Sequence, residues 1–145
     1  MKLEWILWLA SLLPQPLADR TCLATTIYLE ARSEPTLGQE AVAEVALRRW
    51  SSGRWGDTVC AVVNARGQFA PGIVSRNYRL KNVRAWNKAW RIAGGAMRNW
   101  ALPPEQRRLV VPDADHFYAQ DIVTPDWAGH RLVAVIGGHS FVHIP

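Results

Sequence analysis

The sequence lacks the motifs of the common hydrolytic machineries. It has no HExxH pair and no cysteine cluster for zinc, no Gly-x-Ser-x-Gly around a serine nucleophile, and no glycine-rich loop followed by Lys–Ser/Thr for a phosphate. A metal-ligand spacing is also missing among the four histidines, His116, His130, His139 and His143. We therefore expect no bound metal and no other cofactor, and nucleophilic catalysis is disfavoured.

Cysteine is scarce, and one pair cannot define a disulfide framework. Only Cys22 and Cys60 are present. If the chain is exported, we expect a bridge between them, which would close a loop of about forty residues and stabilise the fold by roughly 4 kcal/mol. If the chain stays in the cytosol, two buried thiols are expected instead.

No apolar run is long enough for an ordinary transmembrane helix. The run at residues 5–13 has the length of a signal-peptide core, although Glu4 offsets Lys2 and Pro16 stands where a small residue is preferred. We assign residues 1–18 to a signal-peptide-like or membrane-anchor-like segment that could associate transiently with a membrane. Residues 19–145 form a single domain. The alternative for the first segment is a helix that packs on this domain.

Dense basic runs and internal repeats are missing as well. The formal net charge is +5, but the arginines and lysines are scattered, so nucleic acid is not an expected partner. A basic balance still favours an anionic partner, such as a wall polymer or an acidic lipid. Eight tryptophans supply flat apolar faces that suit sugar rings as well as a core. We expect a monomer.

Helical patterns fill the first two thirds of the chain. Helices are predicted over residues 20–32, 37–50 and 83–100, with a short helical piece through Val63 that Asp57 is expected to cap, and a long polar loop over residues 64–82. Thr36 and Gln39 match a capping box at the start of the second helix. The inner stripe of that helix is predicted to contain Ala41, Val42, Val45, Ala46 and Trp50.

The last third predicts extended structure. Residues 131–136 and 139–143 read as two strands joined by Gly137–Gly138, the second strand alternating between its faces. Residues 115–119 are a strand or a loop edge, and residues 124–127 are a turn. The fold class is therefore α+β, predominantly helical, with a small antiparallel sheet or hairpin in the C-terminal third.

Glu30 lies on an apolar helix face. It follows Ile27 by three residues and Leu23 by seven, so the three share one side of the first predicted helix. Burying a carboxylate on this face costs free energy of folding, unless it is paired with a cation or serves a function. Burial also raises the pKa of the carboxyl group, as a general acid requires. Glu34 is one turn further on the same side. The alternative is a Glu at the helix edge, bonded by a neighbouring loop or paired with Arg32.

An acid that cleaves a sugar chain also needs a groove with aromatic faces and hydrogen-bonding side chains. The residues that could supply these in the later part of the chain are Gln68, Phe69, His116, Tyr118, Trp127 and His139.

Several blocks of sequence stand in order along the chain. Residues 28–35 read YLEARSEP and residues 38–45 read GQEAVAEV, and further blocks cover residues 57–63, 68–69, 114–119, 125–128 and 136–141. Together they resemble the cell wall hydrolases related to spore cortex-lytic enzymes, whose first blocks are roughly YxEARGEP and GQxAVAxV. The blocks span about Thr21 to Phe141, which makes the resemblance specific.

The resemblance implies a lysozyme-like fold and cleavage of the glycan strand of peptidoglycan. It places the catalytic acid on Glu30 and gives Glu34 a supporting position. Ser33 departs from the usual glycine, so we expect no left-handed backbone there. Further departures at Phe117, Tyr118 and Val142 alter the hydrogen-bonding part of the groove.

Several functions remain open within this resemblance. Because no second carboxylate other than Glu34 presents itself, a lytic transglycosylase is favoured over a hydrolytic muramidase acting on the same bond. A zinc-dependent wall amidase using the histidines and a non-catalytic glycan-binding module are further alternatives. The size and basic charge suit a phage endolysin or a small bacterial wall hydrolase, acting in the periplasm or outside the cell.

Overall fold

Five α-helices precede a three-stranded sheet in the computed structural model, which describes residues 1–66, 68–120 and 125–145. The predicted α+β class, predominantly helical and lysozyme-like, is confirmed. Gly67 of the predicted loop and Thr124 of the predicted turn lie outside the described residues. The elements are α1 (Leu3–Leu12), α2 (Gln15–Ala31), α3 (Thr36–Ser52), α4 (Val59–Asn64), α5 (Val83–Trp100), β1 (His116–Ala119), β2 (Arg131–Ile136) and β3 (His139–His143), with 3₁₀ turns at Ala70–Gly72, Pro104–Gln106 and Asp126–Gly129.

Helix α2 is the centre of the core and packs against the other four helices. Leu23 and Ile27 are fully buried, as their spacing predicted. The helix begins at Gln15, five residues earlier than predicted, because Pro16 falls in its first turn. Proline has no N–H to donate and its fixed φ suits that position, so it starts the helix here instead of breaking it.

A disulfide bond joins Cys22 of α2 to Cys60 of α4. The Cys60 backbone N–H also donates to Asp19 Oδ1 at 3.2 Å. Two independent links therefore hold the short helix α4 against α2, a few residues before the loop that returns to Glu30.

Helix α1 packs on the domain through its inner face, on which Leu3, Ile6 and Ala10 are buried. Its first residues pair with a later loop: the Leu3 N–H donates to Tyr78 O, and the Leu80 N–H donates to Met1 O, both at 2.8 Å. This arrangement matches the alternative prediction, a first helix that packs on the domain. The signal-like or anchor-like role of residues 1–18 stays a prediction. Within the described part of the chain, no helix has the length and apolar character that a membrane span requires.

The helix caps differ from those predicted. Thr36 is already inside α3 and its side chain caps nothing. Gln39 is buried and its Nε2 donates to the Glu34 carbonyl at 3.2 Å, so it cannot complete a capping box. At α4, Thr58 caps the helix by accepting the N–H of residue 61 at 3.0 Å, in place of the predicted Asp57.

The sheet is antiparallel with the order β1-β3-β2. The two predicted strands match β2 and β3, and residues 116–119 form the third. The predicted alternation of β3 is wrong, because its first four residues are all buried. The central strand β3 lies between β1 and β2, and its residues 139–142 are buried on both of its faces. Gly137 in the turn before it has φ +56°.

Candidate active site

Glu30 occupies the last turn of α2 and is half-buried. The Ala70 N–H, in the loop after α4, donates to Glu30 Oε1 at 2.7 Å. No hydrogen bond formed among the described residues engages Oε2. Burial raises the pKa of Glu30, against the smaller opposing effects of the Ala70 hydrogen bond and the positive charge of Arg49. A carboxyl with one anchored oxygen and a raised pKa is suited to donate a proton from the other oxygen.

Arg49 of α3 is a buried cation at the site, 5% exposed, and it was not among the predicted site residues. Its Nε donates to the Asp115 carbonyl at 2.7 Å and its Nη1 donates to Gln68 Oε1 at 3.2 Å. The guanidinium carbon lies 4.5 Å from the Trp55 ring centre and 4.7 Å from that of Phe69. Arg49 therefore connects α3, the loop before Ala70 and the entry to β1.

The charge of Arg49 is maintained by its carboxylate neighbours. Burial lowers the pKa of Arg49 to about 10, and the negative charges of Asp115 and Glu30 oppose that shift. At neutral pH the guanidinium is therefore still charged, and it favours the ionised form of Glu30 once a proton has been given away.

A signal for Arg49 did exist in the sequence. It follows Val42 by seven residues and Val45 by four, which is the inner stripe of α3. The prediction placed Trp50 on that stripe instead, and this is wrong, because Trp50 is 36% exposed. Two consecutive arginines, Arg48 and Arg49, suggest a solvent-exposed pair. Only the helical spacing from Val42 and Val45 shows that Arg49 lies on the inner face.

Asp115 anchors the sheet side of the site. Its Oδ1 contacts His116 Nδ1 at 2.7 Å and accepts the Ile144 N–H at 2.9 Å, and its Oδ2 lies 2.9 Å from His143 Nδ1. Desolvation acts to raise the pKa of Asp115, but these hydrogen bonds and the nearby histidines outweigh it and leave the pKa below its usual value. Burial lowers the pKa of His116, against the effect of Asp115.

The histidines of the site do not gather as metal ligands. Within the described residues there is no group of three or more His, Cys, Asp or Glu side chains placed to hold a metal ion. Two of them, His116 and His143, direct Nδ1 to the same carboxylate of Asp115.

Aromatic rings surround His116 at the start of β1. Its ring centre is 5.1 Å from that of Trp127 and 5.7 Å from that of Trp55, and the Tyr118 and Trp127 ring centres are 5.6 Å apart. The structure thus brings together three predicted site residues, His116, Tyr118 and Trp127. Trp55 completes the group; it lies in an irregular segment where no periodicity marks it.

Glu34 and His139 meet at the turn between β2 and β3. The Gly138 N–H donates to Glu34 Oε2 at 3.1 Å, and His139 Nδ1 lies 3.6 Å from Glu34 Oε1, too far for a hydrogen bond. Burial lowers the pKa of His139 against the opposing charge of Glu34, so the ring is neutral at neutral pH. A Cβ on Gly137 would overlap the Glu34 carboxylate, so the turn closes directly over that side chain.

A row of rings links this turn to the Glu30 loop. The Phe117 ring centre lies 5.4 Å from that of His139 and 6.0 Å from that of Phe69. Phe69 is 1% exposed and His139 4% exposed, so both support the site from the core side. Gln68, in contrast, is exposed and reaches the site through Arg49. A separate cavity of about 710 Å³ between α3 and α5 is lined by none of the predicted site residues.

Most of the chain matches the model of a known family. The family model described as Cell Wall Hydrolase matches residues 33–142. The chain belongs to this cell wall hydrolase family. A comparison with curated proteins gives no match.

Two solved structures are similar to this cell wall hydrolase. One is the catalytic domain of the germination-specific lytic transglycosylase SleB from Bacillus anthracis, 27% identical over 86% of this chain and 93% of that chain, with a TM-score of 0.66. The other is the catalytic domain of the Bacillus cereus SleB protein, 27% identical over 86% of this chain and 88% of that chain, with a TM-score of 0.64.

The match to the family model begins three residues after Glu30. The matched residues therefore do not include Glu30. The prediction that Ser33, the first matched residue, has no left-handed backbone is confirmed. Among the described non-glycine residues, only Asp113 has a positive φ.

Proposed function

We propose that this cell wall hydrolase cleaves the peptidoglycan glycan strand between N-acetylmuramic acid and N-acetylglucosamine, with Glu30 as the single catalytic acid. The observation that carries the proposal is the half-buried Glu30 carboxyl, whose Oε1 is held by the Ala70 N–H and whose pKa is raised by burial. Membership of the cell wall hydrolase family and the similarity to SleB lytic transglycosylase domains support the choice of substrate.

Glu30 acts first as acid and then as base. A proton on Oε2 passes to the glycosidic oxygen as the bond from that oxygen to C1 of the muramic acid breaks, leaving an oxocarbenium-like centre at C1. The muramic acid 6-hydroxyl then attacks C1 and returns its proton to the Glu30 carboxylate. The products are a 1,6-anhydromuramic end and a free N-acetylglucosamine hydroxyl, and Glu30 regains its starting state.

The transglycosylase outcome is preferred because hydrolysis calls for a second carboxylate that activates water. Glu34, the other acidic candidate from the sequence, already accepts the Gly138 N–H and lies beside His139. It supports the turn between β2 and β3 in this proposal. The aromatic group of His116, Tyr118 and Trp127 provides ring faces on which sugars can stack.

The test is digestion of purified peptidoglycan by the wild type and by Glu30→Gln, followed by mass spectrometry of the fragments. Removal of a general acid lowers the rate by about 10²–10⁴-fold. Glu105→Gln is the matched control, since Glu105 is exposed in the turn after α5. We expect anhydromuramic ends from the wild type and from the control. Fully reducible muramic ends would instead establish hydrolysis, and unchanged activity of Glu30→Gln would exclude Glu30 as the acid.

We also propose that the enzyme works in the wall compartment, in the periplasm or outside the cell, as an endolysin or a cell wall hydrolase. The disulfide between Cys22 and Cys60 supports this location, because such bonds persist in oxidising compartments. Lysis of permeabilised cells by added protein, without lysis when the Glu30→Gln variant is added, is the expected result. If a metal chelator abolished lysis by the wild type while the Glu30→Gln variant still lysed the cells, the zinc amidase alternative would be favoured.

A further inference from the structure

Helix α1 is apolar on its outer face as well as on its inner one. Its outer stripe, at helical spacing, consists of Trp5, Trp8, Leu9 and Leu12, which are 51%, 65%, 45% and 62% exposed. Single exposed apolar residues are ordinary on a protein surface, but a contiguous stripe with two tryptophans marks an interaction site.

A basic edge runs along the amino-terminal end of this stripe. It consists of Lys2, Arg76 and Arg79. Lys2 and Arg79 form a backbone bridge that sets them side by side, and the Glu4 N–H donates to Arg76 O at 2.9 Å. The Lys2 ammonium lies 5.4 Å from the Trp5 ring centre, on the same side as the outer stripe.

The charges of the basic edge are not neutralised by acids of the fold. No salt bridge within the described residues involves any of its three members, and the one acidic residue of α1 is Glu4. Two like charges set side by side on a bridge repel each other, so an anion placed over them would relieve that repulsion. The edge therefore complements a negatively charged partner.

We propose that the outer stripe and the basic edge together dock this enzyme on the surface of an anionic lipid bilayer. Tryptophan and leucine side chains enter the boundary between headgroups and acyl chains, and the three cations lie among acidic headgroups. Helix α1 then lies flat in the interface, with its inner face still packed on the domain. The proposal does not rest on the proposed glycan chemistry.

The docking surface has a fixed relation to the catalytic residue. Met1 and Leu3 form backbone hydrogen bonds with Leu80 and Tyr78, and the same loop contains Ala70, whose N–H donates to Glu30. Docking through α1 therefore sets the orientation of the Glu30 site relative to the membrane, instead of leaving the enzyme to rotate on a flexible tether.

Vesicle co-sedimentation tests the outer stripe. The probes are vesicles of phosphatidylcholine with and without phosphatidylglycerol. Leu9→Ser with Leu12→Ser should lower the partition constant about tenfold. Leu37→Ser with Leu132→Ser is the matched control, because these leucines are 52% and 57% exposed on other faces and should leave the constant unchanged.

A second pair of variants tests the basic edge. Arg76→Gln with Arg79→Gln should weaken binding to phosphatidylglycerol vesicles by about fivefold for each charge removed. The same variant should bind pure phosphatidylcholine vesicles as the wild type does. Arg91→Gln with Arg108→Gln, at exposed positions beside the cavity between α3 and α5, matches the change in net charge and should have a much smaller effect.

Three results would overturn the proposal. The first is a wild type that does not sediment with phosphatidylglycerol vesicles, and the second is an outer-stripe variant that still binds them fully while its circular dichroism is native. The third is a dimer in light scattering that the outer-stripe variant turns into a monomer, because the stripe would then serve a second copy. Since no assay here contains peptidoglycan, and each is repeated with Glu30→Gln, failure of the catalytic proposal would leave these results unchanged.

Discussion

Replacement of Arg49 by methionine tests the electrostatics of the site most directly. Methionine keeps the apolar stem of arginine but ends near the position of Nε and has no charge, so Arg49→Met removes the cation and its contacts with the Trp55 and Phe69 rings. Two effects should follow, one on stability and one on the pH dependence of activity, and they can be measured separately.

The stability effect follows from the contacts of the guanidinium. The buried Asp115 carbonyl loses a 2.7 Å charge-assisted hydrogen bond, whose removal costs about 1.5–3 kcal/mol. Loss of the two cation–π contacts adds about 1 kcal/mol. Relief from burying a charge offsets part of this. A net loss of about 2 kcal/mol should lower the melting temperature by roughly 7 °C in a domain of this size.

The pH effect has a definite sign. In the proposed mechanism Glu30 must be protonated to act as the acid, so activity should fall as pH rises through the pKa of Glu30. The positive charge of Arg49 lowers that pKa, against the larger effect of burial. Without the charge the pKa rises further, and the alkaline limb of the activity profile should move to higher pH.

The assay is peptidoglycan solubilisation against pH, with circular dichroism to verify the fold. Arg49→Lys keeps a charge and loses the planar fork, so its alkaline limb should stay near that of the wild type although its stability falls. Arg98→Met, at an exposed position on α5, should change neither quantity. A folded Arg49→Met whose alkaline limb is unmoved, or moves to lower pH, would refute the argument that Arg49 acts on the acid.

Three further variants test the packing of the fold and of the turn beside Glu34. Leu3→Ala, at a fully buried position of α1, should destabilise the protein by about 3 kcal/mol in urea unfolding. Gly137→Ala should cost about 2 kcal/mol from the left-handed backbone alone, and it should also lower activity, because the new Cβ must displace the Glu34 carboxylate. Cys22→Ser with Cys60→Ser should reduce the free energy of unfolding by about 4 kcal/mol, since the bond spans a sequence separation of 38.

Each of these has a control in the same molecule. Leu9→Ala, at a position that is 45% exposed, should cost much less than Leu3→Ala; equal losses would mean that α1 does not contribute its inner face to the core. Gly53→Ala has a comparable positive φ with open space around it, so it should lose stability without loss of activity. Unfolding curves that coincide with and without reductant would contradict the stabilisation by the disulfide.

Local patterns predicted much of the fold. Helix α5 and strands β2 and β3 have the predicted bounds, since helical periodicity, alternation and the Gly137–Gly138 turn are all local signals. The start of α2 was missed because Pro14 and Pro16 were placed inside the signal-like segment of residues 1–18, whereas they begin a helix. The burial of β3 could not be predicted from its own residues, because it depends on the position of the strand in the sheet.

A site residue could be predicted only where the residue pattern of its own helix or strand indicates its orientation. Glu30 could be placed on an inward face by counting from Ile27, but the Ala70 N–H that anchors it comes from a loop forty residues away. Arg49 finds its carbonyl partner in Asp115, which is separated from it by 66 positions. Contacts of this range depend on how the elements are arranged in space, which no periodicity encodes.

The strand order has a consequence for how the enzyme is made. Strand β3 lies between β1 and β2 and is the last of the three in the chain, so neither earlier strand has its sheet partner until the ribosome has passed residue 143. Helix α2, with Glu30, is complete more than a hundred residues before that point. A product of interrupted translation that stops before His139 would therefore carry the acid without the sheet beside it. If the proposed function is correct, such a fragment would lack the ring faces of β1 beside Glu30 and should be inactive until the sheet is complete.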